Sequence, residues 1–198
     1  VMLVAGTLGI DTSSLLAILS VAGLAVSLSV QNSLSNVASA LMILGAKPFR
    51  AGDYVQIGDQ AGIVQTIGAI YTSLRTYDNR LIHIPNSQIT GAAIVNCTAE
   101  PERRVDLNFS ASYHDDVDTV RETLTGTAAR CAAVLSTRPV EAHVTGYGDS
   151  AVNYVLRFWA RTEDYWDAYN DVMDRMKSAF DTAGVSMTYP HINVHMGS

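Results

Sequence analysis

Thr12-Ser13-Ser14-Leu15-Leu16-Ala17-Ile18-Leu19-Ser20-Val21-Ala22-Gly23-Leu24-Ala25-Val26-Ser27-Leu28-Ser29-Val30-Gln31-Asn32-Ser33-Leu34-Ser35-Asn36-Val37-Ala38-Ser39-Ala40-Leu41-Met42-Ile43-Leu44-Gly45-Ala46 is a run of 35 residues without a charge. A straight helix of that length spans roughly 50 Å, against a hydrocarbon core of ~30 Å. One straight spanning helix is too long, so the stretch is expected to break or bend at Gln31-Asn32, where two amides interrupt the apolar run. Ser13 to Val30 then spans roughly 27 Å, which suits a membrane. Asn32 or Ser33 would cap a second, shorter helix, with Gly45 stopping it and Pro48 preventing continuation.

The faces of the first half are unequal. At 100° per residue, Val21, Leu24, Leu28 and Gln31 share one stripe. Ser20, Gly23 and Ser27 lie on one flank of it, and Ala22, Ala25 and Ser29 on the other. Small residues at this spacing let helix backbones approach closely in a membrane. A helix slim on both flanks can pack a copy of itself on each side, which makes a ring with Leu24 and Leu28 facing the axis. Rings of leucine around a narrow lumen close it by dewetting. Periodicity alone leaves a second reading equally open, a buried helix of a polytopic protein. A proton-coupled transporter is disfavoured, because no ionisable residue lies near the midplane.

Outward from this stretch, Asp11 precedes it and Lys47 and Arg50 follow it, which places the C-terminal side in the cytoplasm. Val1 to Leu8 has no basic start and reads as the tail of an earlier hydrophobic segment. The 198 residues are 48% apolar with mean hydropathy +0.15, which fits one membrane segment joined to water-soluble domains. Residues 1–99 carry balanced charge, so the net −6 sits in residues 100–198. The acidity and the lack of a basic cluster argue against nucleic-acid binding. Cys97 and Cys131 fit no metal or redox spacing and read as buried reduced thiols.

After Pro48 the pattern turns to short strands at 54–57, 63–67, 71–76, 81–84 and 94–96, separated by turn residues. This predicts a small β-barrel or sandwich. Residues 105–111, 141–147, 151–160 and 192–194 read as strands, and 115–135 and 164–183 as helices ended in the second case by Gly184. The order β-α-β-β-α-β fits a ferredoxin-like α+β domain. No catalytic constellation, phosphate loop or metal site stands out. His114 beside Asp115 and Asp116 reads as a solvated helix start, His191 and His195 lack a third ligand, and Trp159, Tyr165, Trp166 and Tyr169 read as packing. No cofactor is expected.

Lys47-Pro48-Phe49-Arg50-Ala51-Gly52-Asp53-Tyr54-Val55 resembles the membrane–cytoplasm junction of the small-conductance mechanosensitive channel (MscS) family. Gly23 to Leu28 through Gln31, followed by Ser33-Leu34-Ser35-Asn36, resembles that family's pore helix. Ile84-Pro85-Asn86-Ser87 and Glu100-Pro101 with Arg103-Arg104 match two later landmarks. The resemblance runs from about Gly9 to Val194. It implies a homoheptamer in the inner membrane, contacting lipid, opened by tension to pass ions and small solutes after osmotic downshock. It implies an Sm-like β-domain, a cytoplasmic cage, and Leu24 and Leu28 as the constriction. The expected organisation is the end of a preceding membrane helix and loop (1–11), a pore-lining helix kinked near 31–32 (12–46), a β-domain (47–103), an α+β domain (104–190) and a C-terminal strand or tail (191–198). The chain departs from the family at Asn32, where glycine is frequent at the kink, and at Ser20, Ser27, Ser29 and Ser39, where it carries serine for glycine or alanine. Serine hydroxyls can bond between helices. A non-conducting membrane scaffold or sensor is the alternative of another class.

Overall fold

The computed structural model describes residues 12–189. The segment 1–11, the strand expected at 192–194, His191 and His195 lie outside them. The chain divides into two compact units between Ala99 and Glu100.

In the first unit, helix α1 (Thr12–Ala46) is continuous. The expected second helix with its own cap at Asn32 or Ser33 does not form. Helical hydrogen bonding runs through the two amides, and the Asn32 carbonyl accepts a further bond from Asn36 Nδ2 at 2.8 Å. Gly45 does not stop the helix either. Pro48 disfavours the right-handed α conformation for the residue before it, so the helix ends at Ala46; Lys47 leaves it with a left-handed φ of 51°. The Lys47 amide still donates to the Ile43 carbonyl at 2.8 Å.

Five antiparallel strands follow: β1 (Tyr54–Ile57), β2 (Gln60–Ile67), β3 (Tyr71–Arg75), β4 (Leu81–Pro85) and β5 (Ile94–Asn96). Their order is β4-β3-β2-β1-β5. A short helix, α2 (Asn86–Gly91), connects the two edge strands and puts Ile89 into the core beside Phe49, Val55, Val64 and Leu74. Strand β2 starts earlier than its apolar run because it pairs with β1 from Gln60, opposite Ile57, and so passes through Gly62. A Cβ there would lie 2.8 Å from the Arg75 carbonyl oxygen, so only glycine permits this approach of β3. Tyr77 stacks on Tyr54 at 5.0 Å within the chain.

The second unit contains β6 (Glu102–Ala111), α3 (Val117–Ala129), β7 (Glu141–Tyr147), β8 (Val152–Arg161) and α4 (Tyr165–Ala183). The sheet order β6-β8-β7 with antiparallel neighbours is that of a split β-α-β layout. Helix α3 ends at Ala129, short of Leu135, because the chain turns to bridge β8: the Leu135 amide donates to the Trp159 carbonyl at 2.8 Å. Gly184 ends α4 with a φ of 73°. The core gathers Leu107, Leu124, Tyr154, Phe158, Met176 and Phe180.

Both cysteines are free thiols; Cys131 is buried and Cys97 only partly so. Burial, together with a hydrogen bond to the Asp171 carboxylate, pushes the Cys131 thiol above its ordinary range. In native protein at pH 8, a maleimide should therefore label Cys97 well before Cys131, and unfolding should equalise them. Equal labelling of the folded protein would contradict this burial.

Candidate functional site

Two different surfaces meet along α1. Every described side chain from Ser13 to Ser35 is exposed, Leu24 and Leu28 each at 61%. Among the described residues nothing covers this half. Leu16–Ala46 is long and apolar enough to cross a membrane by length and composition. From Asn36 onward one face is engaged: Asn36, Ser39, Ala40 and Ile43 are buried, at the i, i+3, i+4, i+7 spacing of a single helical stripe. At 100° per residue this stripe lies roughly a quarter turn from Leu24 and Leu28. Docking of the helix foot thus leaves the leucine stripe free.

The partner of that stripe is α2. Asn36 acts as a two-sided clamp: its Nδ2 donates to its own helix at Asn32, and its Oδ1 accepts from the Ser87 amide at 3.0 Å. One turn later the Ser39 and Thr90 hydroxyls meet at 2.9 Å. Behind them Asn86 is fully buried. Its Oδ1 accepts from the Thr72 hydroxyl at 2.8 Å, and its Nδ2 donates to the Gly68 carbonyl at 2.9 Å. Because a carbonyl only accepts, the amide must point this way round. Asn86 therefore ties α2 to the sheet, and α2 holds the helix.

The junction residues have separable roles. Phe49 is a core side chain, 2% exposed. Pro48 forces the turn and its carbonyl accepts from Asn96 Nδ2 at 3.3 Å. Lys47 and Arg50 remain exposed. The Asp53 carboxylate accepts from the Arg50 amide at 2.9 Å and from Asn96 Nδ2 at 2.8 Å. Gly52 supplies the φ of 97° that lets the chain reverse into β1. The run from Pro48 to Asp53 is thus a hydrogen-bonded corner.

The packing residues singled out in the sequence lie on the exposed half of α1. A Cβ built on Gly23 meets nothing within 4 Å, so no contact among the described residues requires glycine there. The serines differ among themselves. Ser20 bonds back to the Leu16 carbonyl at 2.7 Å in its own helix, while Ser39 reaches out to α2. Gln31 and Asn32 lie between the free and docked halves, one turn before Asn36. Reading the sequence missed the docking stripe. Its one signal was the i, i+3, i+4, i+7 spacing of Asn36, Ser39, Ala40 and Ile43, which is hidden because the whole stretch is small or apolar.

Among the described residues no group of three side chains could hold a metal ion. The acids beside His114 are engaged by backbone: Asp115 Oδ2 accepts from the Ser112 and Ser186 amides, and Asp116 caps α3 by accepting from the Thr119 amide at 2.9 Å. That bond, with the Thr119 hydroxyl, holds the Asp116 carboxyl below the usual carboxylate range. The aromatic residues pair with cations and one another: Arg103 sits 4.0 Å over the Tyr165 ring and Arg138 5.1 Å from that of Trp159.

Comparison with known proteins bears on the whole chain. The family described as "Mechanosensitive ion channel, beta-domain" matches residues 32–99, and "Mechanosensitive ion channel MscS, C-terminal" matches residues 105–187. An uncharacterised MscS family protein of Buchnera aphidicola is 34% identical over 96% of this chain and 68% of its own length. A small-conductance mechanosensitive channel of Edwardsiella ictaluri is 35% identical over 88% of this chain and 61% of its own. The chain therefore spans 61–68% of these two relatives. The crystal structure of Helicobacter pylori MscS in its closed state superposes with a TM-score of 0.92 at 26% identity, covering 100% of this chain and 78% of that one.

Proposed function

Because this chain belongs to the MscS family of mechanosensitive channels, we propose that it forms a tension-gated pore in the inner membrane, seven copies around an axis, releasing ions and small solutes on hypoosmotic shock. The observation that carries this reading is the division of α1. Its first half is apolar, uncharged and not covered by any described residue, while its last turns are bonded to its own β-domain. An uncovered apolar helix needs lipid on one side and like helices on others.

In the proposed resting state, Leu24 and Leu28 point at the axis and keep a short neck dry. The flanks made by Ser20, Gly23, Ser27 and by Ala22, Ala25, Ser29 pack against neighbouring copies. Tension favours whichever state occupies more membrane area. The helices then tilt or slide along their small faces, bending near Gln31 and Asn32 and shifting at the foot, and the neck wets. The likeness to a structure described as closed supports assigning the present conformation to the resting state.

Suction on liposome patches containing the full-length protein tests the proposal. Stepwise currents that appear above a threshold support it. Assembled protein that never conducts supports the scaffold alternative instead. Within the channel reading, Gly23→Leu should impair assembly or shift the threshold, since the added isobutyl group would fill the close approach of a neighbouring helix. A normal complex mass with an unchanged threshold would show that Gly23 faces no helix.

A further inference from the structure

Resting on the channel reading, we propose that the Ser39 and Thr90 hydroxyls form a specific fastening whose rupture is part of opening, so that this pair helps set the tension at which the channel leaves its closed form. Serine in a helix ordinarily bonds back to the carbonyl one turn earlier, and Ser20 does so. Ser39 is recruited elsewhere. It is only 6% exposed and its Oγ lies 2.9 Å from Thr90 Oγ1.

The direction of that bond follows from its neighbours. Thr90 Oγ1 lies 3.3 Å from the Asn86 carbonyl and 3.2 Å from the Ser87 carbonyl, and both can only accept. The Thr90 proton points at them. Its lone pairs then accept from Ser39. The result is an ordered relay: Ser39 donates to Thr90, and Thr90 donates to the backbone at the start of α2. That backbone is itself held to the sheet through the buried Asn86 side chain. Hydroxyl bonds lose their strength within a few tenths of an ångström beyond ~3.0 Å. Any slide of α1 along α2 therefore breaks this one early, while the Asn36–Ser87 contact one turn upstream shares the same face.

Ser39 and Thr90 are positioning residues in this account; neither touches a permeating solute. The test is suction on liposome patches of the full-length protein carrying S39A, T90V, both together, or T90S. The expected result is a lower half-opening suction for S39A and for T90V, with the open-to-closed ratio at fixed suction raised at least threefold. The double variant should be no lower than the singles, because one bond is lost either way. T90S, which keeps the hydroxyl, should behave as wild type. A conducting wild type with S39A unshifted, singles that add in the double variant, or T90S shifted as far as T90V would each overturn the proposal and leave the channel reading standing. A silent wild type would overturn both.

Discussion

Replacing Leu28 by serine should leave the assembled channel passing ions without applied tension. In the proposed resting state the neck depends on a wall that water wets poorly. Each leucine side chain contributes about 1.5–3 kcal/mol of preference for leaving water, and one substitution acts in every copy of the ring at once. A hydroxymethyl in place of the isobutyl group both widens the neck and offers water a partner. Patch recordings at zero suction read the effect directly, as does growth arrest on expression. Val26→Ser is the internal control. Val26 lies 200° from Leu24 on an ideal helix and would face away from the proposed axis, so Val26→Ser should not leak. An unchanged closed conductance in Leu28→Ser, or equal leakage from Val26→Ser, would refute the orientation assigned to α1.

Asn86→Ala should unfasten the foot of the helix and destabilise the β-domain together. The change removes a buried amide and leaves the Thr72 hydroxyl and the Gly68 carbonyl without the bonds they make at 2.8 and 2.9 Å. Thr72 is itself fully buried. Each of these two abandoned groups costs about 1–3 kcal/mol, so a loss of roughly 2–6 kcal/mol is expected. For a domain of this size that is a fall in Tm on the order of 10 °C or more. Asn86→Asp should be no remedy, because an oxygen would then face the Gly68 carbonyl. Thermal unfolding in detergent measures it. A shift under about 2 °C would mean that the two partners find water, and that α2 is held by other contacts.

Much of the second unit was readable because its signals are local. Strand alternation, Gly184 as helix stop and the acidic start of α3 all operate over a few residues, and the helix limits that differ, such as Ala129 against Leu135, differ where the chain pairs with a distant strand. The junction was readable as a motif but not as a mechanism. Pro48 showed that the helix must end; that Lys47 and not Gly45 takes the left-handed turn, with Phe49 entering the β-domain core two residues later, is seen only in the structure.

The sequence by itself determined that one uncharged segment is long enough to cross a membrane, that its leucines and small residues fall on separate faces, and that β and α+β units follow it, because charge and periodicity are properties of neighbours along the chain. Only the tertiary structure decided that α1 is continuous through Asn32, and that its foot is clasped by Asn36 on Ser87 and Ser39 on Thr90. Those partners stand 51 residues apart. A hydrogen bond over such a separation leaves no repeat to read, and it exists only once the sheet has brought α2 beneath the helix.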